Sequence, residues 1–591
     1  MPPSDPPATE SVMHSASGPS EKPLSPGLRN RLSLPEAPIL AGLVIAALTV
    51  RFHFITRFNI NWDEFGYLSH VHDYLRGYLK QDLQTFHVHF FTWLPQIGPN
   101  EVDQIVAARM VMLVLQLVTA ALLYRMARRW TSAPAALFAV AAYLSFSFVI
   151  RGGSSFRRDP IAVCAVMAAF SLLLSRNVAL GRSVLAGFFF ALAGMITIKT
   201  SIFLPSLAML LAAPLLDGSN PGEAIRRGTA TTLSAAVGFA LLYWLHGSTV
   251  ERSGADSSVE VASSSLLTVI KAGFFPGRGV LQETLRWDMV FWAFWLVGGA
   301  LLAQRIWTTT GRERGRWLEM AALSIPVATL AVYRNSFPYF YAFILAPASV
   351  LTALTWEFLR PGRAPAMALK MFAVAWLVGS LVFHGVYTPR QMPLEHQRTV
   401  LAVVHRMFPE PTSYLDRSGM ISSFPQVGFF MSTWGMDAYA RRGEPVLRQA
   451  IEEKQPALLV ANHPLLDPEH AVFPAAVEYR PPLVERDRTA LEGAFIHHWG
   501  PLYVAGKRFE APTGDAPARI DLLIAGPYTL EARRPVVIDG RLVQPGQLVE
   551  LARGLHGVTS TGSPEPVTLR WGRGLYLPEY PPPDLPLFLG F

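Results

Sequence analysis

Cysteine is almost absent from the 591-residue sequence, which contains only Cys164. A single thiol cannot form an intrachain disulfide, so any exported part of the chain has to fold without one. Charge is also scarce, because 16% of the residues are Asp, Glu, Lys or Arg while 51% are hydrophobic. Together with a mean hydropathy of +0.28, this balance excludes an ordinary cytosolic enzyme and is typical of a protein with many membrane helices.

The first 35 residues lack both apolar periodicity and the basic, apolar and cleavable pattern of a signal peptide. Their Pro, Ser and Glu content predicts a disordered cytoplasmic tail over 1–35. A nucleic-acid partner is not expected, although the formal net charge is +8. The basic residues fall mostly in short loops between apolar stretches, where they encode membrane topology.

Eleven apolar segments after the tail are long enough to cross a bilayer. They lie near 37–57, 104–124, 132–150, 160–175, 183–198, 201–216, 228–246, 287–304, 317–333, 338–357 and 366–386. Arginine clusters in alternate connections predict that those connections are cytoplasmic. The loop after the first segment, the loop at 151–159 and the chain after 388 are then outside. Counting 183–198 and 201–216 as one span would move the chain after 388 to the other side.

Beyond about residue 388 the composition changes to that of a soluble region. Apolar stretches at 414–416 and 457–461 predict buried strands, and 443–453 predicts a helix. We therefore expect a small extracytoplasmic α/β domain over 388–512.

From 513 onward, apolar and polar residues alternate between turn signals at Asp539-Gly540 and Pro545-Gly546. This pattern predicts an extracytoplasmic β-sandwich-like module and a tail over 513–591. The expected fold is thus a polytopic α-helical membrane protein with about eleven transmembrane helices over 36–387, followed by an α/β plus β-sandwich region.

An acidic pair, Asp63-Glu64, lies just beyond the first apolar segment, at the mouth of a predicted span. The preceding residues 59–62 are typical of a helix start, and apolar residues recur afterwards at helical spacing. In the first turn of such a helix the dipole favours an ionised Asp63 carboxylate, while the membrane boundary limits its solvation and raises its basicity. The alternative is an acid that only caps the helix.

Three groups of cations lie on the expected outer side, where the positive-inside rule predicts few positive charges. Arg157 and Arg158 precede Asp159, Lys199 lies between two apolar segments, and Arg334 ends a later one. Ionisable groups at membrane depth are costly and usually have a partner or a substrate, so these cations are candidates for binding an anion. Interfacial snorkelling or internal salt bridges are the alternative.

A carboxylate and several cations facing one cavity fit the transfer of a group from a lipid phosphate. The leaving phosphate needs Arg or Lys to match its growing charge. The acceptor hydroxyl needs a base, which a carboxylate within hydrogen-bond reach supplies. One carboxylate suffices for a direct, inverting displacement, whereas a retaining reaction requires a second carboxylate as nucleophile.

Four histidines in the first outer loop raise the question of a metal site, since imidazole and carboxylate ligands suit zinc or manganese. They are His70, His72, His87 and His89. A divalent metal is therefore compatible with the sequence, but no metal ligand is assigned. Polar contacts with substrate, and ordinary interfacial histidines, remain the alternatives.

Over about residues 37–360 the chain resembles the GT-C membrane glycosyltransferases that use polyprenyl-phosphate sugars. The resemblance is to the branch of protein O-mannosyltransferases and aminoarabinose transferases, glycosyltransferase family 39. The segments that carry it, in order, are 62–67, 98–101, 107–109, 158–160, 187–199 and 339–347. In place of the family's Pro-Pro pair before an aromatic stretch, this chain has residues 87–94, which leaves the sugar and the acceptor open.

Carried over to this sequence, the resemblance implies roles for individual residues. Asp63 would be the catalytic base or a metal-coordinating carboxylate, with Glu64 beside it and Asp159 as a second acid. Arg158, Lys199 and Arg334 would contact the lipid phosphate. The remaining candidates for substrate binding are Arg157, Tyr67, His87 and His89.

The sequence therefore predicts a hexosyl or pentosyl glycosyltransferase of the bacterial inner membrane with its active site facing the periplasm. Its partners would be the bilayer, a polyprenyl-phosphate-linked sugar donor, and an acceptor hydroxyl on a protein, lipid or glycan. Two other classes remain open: a transporter or flippase of envelope glycans, and a non-catalytic anchor for the C-terminal domain. A transporter would be expected to show internal repeats, and we find none in the sequence.

Overall fold

The computed structural model describes residues 36–174, 179–216, 221–250, 273–359, 364–474, 479–513, 517–583 and 586–588. The expected cytoplasmic tail at 1–35 lies outside the described residues.

The part of the chain before residue 408 is mostly helical in its described residues. Its helices are α1 Glu36–Arg57, α2 Trp62–Leu75, α3 Glu101–Ala127, α4 Ala133–Leu144, α5 Ser147–Gly152, α6 Arg158–Leu173, α7 Leu180–Ile196, α8 Leu204–Leu216, α9 Pro221–Gly247, α10 Arg278–Trp287, α11 Met289–Thr308, α12 Gly311–Ser324, α13 Pro338–Ala348, α14 Val350–Phe358, α15 Ala364–Val382, α16 Thr388–Gln391 and α17 Glu395–Met407. Short 3₁₀ helices occupy Phe86–Phe90, Leu94–Ile97, Ile198–Phe203 and Ile325–Ala331.

Each of the eleven apolar segments is occupied by one helix or by two consecutive helices. Among the described residues, six helices are long and apolar enough to cross a membrane, or seven when the bent pair of α13 and α14 counts as one span. The two helices of that pair meet at 56°. Pro347, near the end of α13, lacks the N–H of a regular helix and its ring crowds the preceding turn, so a bend here is expected. A bundle of membrane helices is confirmed, whereas the number eleven stays an expectation.

The C-terminal region packs on the end of the helical part that carries α2. The side chain of Gln397 in α17 accepts a hydrogen bond from the Ile60 backbone N–H at 2.7 Å and donates to the Ile60 carbonyl at 2.7 Å. Arg76, which ends α2, donates to the carbonyls of Ser422 and Ser423 at 3.1 and 2.9 Å. These contacts hold the start and the end of α2 against the region that follows the membrane helices.

In its described residues the C-terminal region contains three further α-helices, a short 3₁₀ helix at Pro464–Leu466 and twelve strands. They are β1 Tyr414–Leu415, β2 Gln426–Val427, α18 Thr433–Arg442, α19 Val446–Lys454, β3 Leu458–Val460, α20 Glu485–Ala494, β4 Phe495–Trp499, β5 Leu502–Ala511, β6 Ala518–Leu522, β7 Gly526–Glu531, β8 Val536–Ile538, β9 Arg541–Val543, β10 Leu548–Leu551, β11 Gly554–Ser560 and β12 Glu565–Trp571. Strands β1 and β3 and helix α19 lie where the sequence predicts strands and a helix.

Two sheets are formed by these strands. The larger has the order β10-β7-β12-β5-β3-β1-β2, with β4 also paired to β5, and the smaller has the order β6-β11-β8-β9. Strand β1 is parallel to both β2 and β3, and the other pairs are antiparallel. In β5, Val504 is opposite Leu458 and Phe509 is opposite Val567. One sheet thus continues across the expected boundary between 512 and 513, which stays a prediction, as does the β-sandwich.

The turn predicted at Asp539-Gly540 joins β8 to β9. Both residues have positive φ values, 48° and 78°. Two consecutive residues with positive φ form the hairpin turn whose twist matches that of the flanking strands, and Asp-Gly is a favoured pair for it. Apolar side chains of both sheets, including Val536 of β8 and Leu569 of β12, then pack into one buried cluster.

Candidate active site

Helix α2 presents Asp63 in its first turn. Asn61 caps the helix by accepting a hydrogen bond from the Asp63 N–H at 3.0 Å, and the Glu64 side chain accepts from the Asn61 N–H at 3.2 Å. Both halves of a capping box are therefore present. The side chain of Asp63 is 19% exposed. The predicted helix start is confirmed, and the local sequence fixes the position of the Asp63 carboxylate.

Two carboxylates and two cations alternate in a row that begins at Asp63. Arg157 Nη1 lies 2.5 Å from Asp63 Oδ2, and Arg157 Nε lies 3.6 Å from Asp159 Oδ2. Lys199 Nζ donates to Asp159 Oδ1 at 2.8 Å. We call these four residues the charge array. It joins residues that are far apart in the sequence.

Helix ends position the cations of the charge array. Arg157 is the N-cap of α6 and Asp159 lies in the first turn of that helix. Lys199 lies in the short 3₁₀ helix Ile198–Phe203, whose N-cap Thr197 accepts a hydrogen bond from the Lys199 N–H. Because three helix ends converge, side chains from three different segments reach one another.

Tyr339 forms an aromatic wall of the charge array. The guanidinium carbon of Arg157 lies 3.6 Å from the centroid of the Tyr339 ring, and Lys199 Nζ lies 4.5 Å from it. Cations in such positions are attracted by the electron density of the ring. A Cβ atom at Gly152 would come within 3.1 Å of the Tyr339 Cα, so a side chain at this position would require one of the two backbones to shift. The sequence analysis included Tyr339 only as part of the family-like segment 339–347. The signal that could have singled it out is its position directly after Pro338, at a helix start.

Tyr67 and Arg158 extend the site beside the charge array. The guanidinium carbon of Arg158 lies 4.9 Å from the Tyr67 ring centroid, and Arg158 Nη2 donates to the Tyr67 hydroxyl at 3.3 Å. Arg158 Nη1 donates to the Gln84 carbonyl at 2.7 Å. These contacts bring the two predicted site residues together.

The charges of the array keep Arg157 protonated. Burial by itself lowers the pKa of Arg157, but the neighbouring negative charge of Asp63, together with other groups, raises that pKa well above its usual range. A permanent positive charge is thus held next to the Asp63 carboxylate.

Glu64 points away from the charge array into a buried ion pair. Arg109 donates to its two oxygens at 2.7 and 2.6 Å, and the Phe156 N–H donates to Oε2 at 2.7 Å. The side chains of Arg109 and Glu64 are only 4% and 2% exposed. The expected catalytic acid is thus occupied by contacts within the chain.

The histidines divide into two groups. His87 is buried, with its ring centroid 5.5 Å from that of Tyr67. Burial, together with nearby positive charge, lowers the pKa of His87 well below its usual value, so this imidazole is neutral at neutral pH. His89 Nε2 instead lies 2.8 Å from His246 Nδ1 in α9. Within the described ranges, no three His, Cys, Asp or Glu side chains are grouped so that they could hold a metal ion.

Arg334 is not brought to the charge array by any contact in the described part of the chain. Its guanidinium lies 3.7 Å from Asp437 and its carbon 4.4 Å from the ring centroid of Trp434, both in the C-terminal region. Sequence reasoning also missed Arg417, whose guanidinium carbon lies 4.0 Å from the ring centroid of Trp62, directly before Asp63. No sequence signal connects Arg417 to Trp62, because they are more than 350 residues apart.

Residues 91–254 match the family described as dolichyl-phosphate-mannose-protein mannosyltransferase. The matched segment contains Arg157, Arg158, Asp159 and Lys199, whereas Asp63 precedes it. No curated protein matches the chain.

Solved structures of membrane transferases are similar to the chain. One is ArnT from Cupriavidus metallidurans in the apo state, with 14% identity, coverage of 71% of this chain and 92% of that chain, and a TM-score of 0.48. Another is oligosaccharyltransferase AglB from Archaeoglobus fulgidus with an inhibitory peptide and a dolichol-phosphate, with 10% identity, coverage of 90% and 96%, and a TM-score of 0.48. A third is the S. cerevisiae protein O-mannosyltransferase Pmt1-Pmt2 complex bound to the sugar donor, with 14% identity, coverage of 38% and 35%, and a TM-score of 0.32.

The family match covers the stretch that contributes both cations and one carboxylate of the charge array. Over these residues the chain is similar to that mannosyltransferase family, in agreement with the resemblance seen in its sequence.

Proposed function

We propose that the protein transfers a sugar from a polyprenyl phosphate to an acceptor hydroxyl, with Asp63 as the general base. The observation that carries the proposal is the charge array, in which Asp63, Arg157, Asp159 and Lys199 are joined by contacts of 2.5 to 3.6 Å. A base for the acceptor and cations for a phosphate are thereby present in one site.

Asp63 is better placed as the base than Asp159. The Asp63 side chain is 19% exposed, whereas that of Asp159 is 5% exposed. A substrate hydroxyl has to come within hydrogen-bond reach of the base, which requires an accessible carboxylate oxygen. The contact of Asp63 with Arg157 fixes its orientation, and Asp159 in turn holds Arg157 and Lys199 in place.

The proposed displacement uses these groups in one step. The acceptor oxygen attacks the anomeric carbon and gives its proton to Asp63, while the bond from that carbon to the phosphate oxygen breaks. The bonding electron pair leaves with the polyprenyl phosphate. Arg158 and Lys199 stabilise the additional negative charge on that phosphate, which is where cations contribute most to such a reaction. Tyr67 and the neutral His87 flank this position and are proposed to contact the sugar.

The arrangement favours inversion at the anomeric carbon. A retaining reaction requires a carboxylate nucleophile in addition to the acid or base. Glu64 is bound by Arg109 and by the Phe156 N–H, so we assign it a positioning role for α2. Asp159 is held by Lys199 at 2.8 Å. His89 and Arg334, which make their contacts elsewhere, are not included in the proposed site.

A lipid-linked donor fits the location of the charge array. The array lies where apolar helices end, and this is the depth at which the phosphate of a membrane-anchored lipid is found. Basic residues such as Arg125, Arg128 and Arg129 lie at the opposite end of α3 from the α2 contacts. By the positive-inside rule, the site would then face the outside of a bacterial inner membrane.

The test is transfer by the full-length protein in nanodiscs. Radiolabelled undecaprenyl-phosphate hexoses and pentoses are supplied one at a time together with an envelope extract as the acceptor source. We expect one donor to label the extract, and Asp63→Asn to reduce that transfer at least about 100-fold, because a general base typically contributes this much.

Asp73→Asn is the matched control, since Asp73 lies on the same helix and forms a surface ion pair with Arg76. This variant should retain transfer. Unchanged transfer by a correctly inserted Asp63→Asn protein would refute the role of Asp63 as the general base. Movement of an intact lipid-linked sugar across the membrane without transfer would instead support a flippase. The absence of both activities would favour a non-catalytic anchor for the C-terminal domain.

A further inference from the structure

Arg417 brings a positive charge from the C-terminal region to the edge of the proposed active site. It lies in the turn after β1, and its guanidinium carbon is 4.0 Å from the ring centroid of Trp62. Trp62 directly precedes Asp63 in the first turn of α2. A segment outside the membrane helices therefore contributes a cation beside the proposed base.

The Arg417 guanidinium makes no hydrogen bond or ion pair with any residue that the structure describes, and its buried Nε has no partner there. Burial lowers the pKa of Arg417, and nearby Tyr479 and the carboxylates of Asp63 and Asp416 oppose that effect. A half-buried guanidinium without an acceptor is costly, because a charged donor that has lost water needs a new partner.

The neighbouring carboxylate cannot be that partner. Asp416 is buried and accepts hydrogen bonds from the N–H groups of Gly419 and Met420 at 2.8 Å each. It also accepts from Asn462 Nδ2 at 2.9 Å. Its oxygens are therefore used within the turn, and the positive charge of Arg417 is left for another group.

A second buried donor or acceptor lies near Arg417. His463 directly follows Asn462, whose side chain accepts a hydrogen bond from the Arg417 N–H. It is fully buried, and its Nε2 has no partner among the described residues. Its Nδ1 accepts from the Leu465 N–H at 3.2 Å, which fixes the ring. Two side chains with unused polar atoms in one place indicate a site that a ligand completes.

The backbone around Arg417 is fixed before any ligand binds. The Arg417 N–H donates to Asn462 Oδ1 at 2.9 Å, and its carbonyl accepts from the Met431 N–H at 2.9 Å. The stack on Trp62 fixes the other end of the side chain. A planar guanidinium held in this way matches a carboxylate or a phosphate with two parallel hydrogen bonds.

We propose that Arg417 and His463 form an acceptor subsite, in which Arg417 binds a carboxylate or phosphate group of the molecule that receives the sugar. The acceptor is favoured over the donor because Arg417 comes from the C-terminal region. The cations proposed for the donor phosphate, Arg158 and Lys199, come from the ends of membrane helices. The inference rests on the proposed function and specifies its acceptor as anionic.

The experiment uses the full-length protein in nanodiscs and the donor that supports transfer. Envelope glycans and glycolipids are separated by anion exchange into neutral and anionic pools, and each pool is titrated as acceptor. We expect label in the anionic pool. Arg417→Gln should raise the half-saturating amount of that pool at least tenfold while the KM for the donor stays unchanged. Arg417→Lys should recover part of the loss, because it keeps the positive charge but not the two parallel N–H donors of the guanidinium.

Arg441→Gln is the matched control, since Arg441 is exposed in the same region, and it should behave as the wild type. Label in the neutral pool, an unchanged anionic titration in Arg417→Gln, or an altered KM for the donor alone would each overturn the subsite. The last result would assign Arg417 to the donor phosphate.

A binding measurement keeps the two proposals distinguishable. Saturation-transfer NMR on the same nanodiscs compares glucuronate with glucose as probes, without any transfer step. If glucuronate binds and Arg417→Gln abolishes that binding, the subsite is supported even when no donor supports transfer. The absence of transfer would then count against the proposed function alone. Equal signals for the two sugars would overturn the subsite.

Discussion

Two adjacent acids, Asp63 and Glu64, acquire different chemistry from their surroundings. Consecutive residues of a helix point in directions about 100° apart, so one carboxylate reaches Arg157 and the other reaches Arg109. Four donors surround Glu64, counting two from Arg109, the Phe156 N–H and the Asn61 N–H. The same residue class thus supplies the proposed base at one position and a structural group at the next.

Removal of Arg109 should destabilise the protein more than it changes the chemistry. Arg109→Met leaves the Glu64 charge buried without its main partner, and breaking such a pair typically costs about 3–5 kcal/mol. We expect a large fall in the apparent melting temperature of the protein in detergent. Transfer per correctly folded molecule should fall less.

The double variant Glu64→Met/Arg109→Met should recover much of the lost stability, because no charge is then left buried. If Glu64→Met alone keeps the melting temperature of the wild type but abolishes transfer, Glu64 acts in the reaction and the positioning role is wrong.

At the scale of elements, the site depends on helix ends. Asp63 is in the first turn of α2, Arg157 caps α6, and Lys199 lies in the 3₁₀ helix between α7 and α8. Backbone N–H groups at helix starts are not used within the helix and favour negative charge nearby. An anionic substrate is therefore attracted by backbone dipoles as well as by side chains.

The N-cap of α2 provides a test at this scale. Asn61→Ala removes the side-chain acceptor for the Asp63 N–H, and loss of such a cap typically costs about 1 kcal/mol of helix stability. We expect faster amide exchange at the first turn of α2 and a several-fold loss of transfer, measured by hydrogen exchange with mass spectrometry and by the nanodisc assay.

Asn61→Asp retains a capping oxygen and is the control, which should show near-normal exchange. Faster exchange in Asn61→Ala with undiminished transfer would show that the first turn does not need to be ordered for the reaction.

Helix α2 could be predicted from the sequence because its signals are local: Asn61 as a cap, Glu64 three residues later, and an apolar stripe after it. The break between α13 and α14 has a local cause in Pro347, but the pattern of apolar residues over 338–357 does not reveal it. Apolarity predicts that a segment is buried, whereas continuity of a helix depends on single residues within the segment.

At the scale of the whole molecule, the contacts that complete the site connect distant parts of the sequence. Arg157, Asp159 and Lys199 could be proposed from their exceptional charge beside apolar segments. The pairing of Arg109 with Glu64 and of Arg417 with Trp62 could not, since neither residue type nor spacing indicates which partners the fold brings together. In the C-terminal region, strands β1 and β3 lie within the stretches 414–416 and 457–461 that the sequence predicts, whereas the sheet that joins them to β12 could not be predicted.

The stability of the whole protein should depend on pH through its buried imidazoles. Burial, followed by the charge of Arg417, lowers the pKa of His463 from its usual 6.5 to about 3. Below about pH 6.5 the unfolded chain binds a proton at this position that the folded protein does not bind, so stability falls as the pH falls towards 3. The slope is at most about 1.4 kcal/mol per pH unit.

The comparison is between wild type and His463→Asn, which keeps an acceptor for the Leu465 N–H but cannot be protonated. We expect the apparent melting temperature of the wild type in detergent to fall more between pH 7 and pH 5 than that of the variant. Equal decreases in the two melting temperatures would show that His463 is protonated equally in the folded and the unfolded protein.

The contacts of the last described residues determine when the site can exist. The Leu587 carbonyl accepts a hydrogen bond from Gln397 Nε2 at 2.8 Å, and the Phe588 ring centroid lies 6.0 Å from that of Trp62 and 5.9 Å from that of Phe65. These groups contact the start of α2, so the segment at 586–588 supports a helix start that is synthesised more than 500 residues earlier. A nascent chain already inserted in the membrane would hold its proposed base without this support until synthesis has passed residue 588.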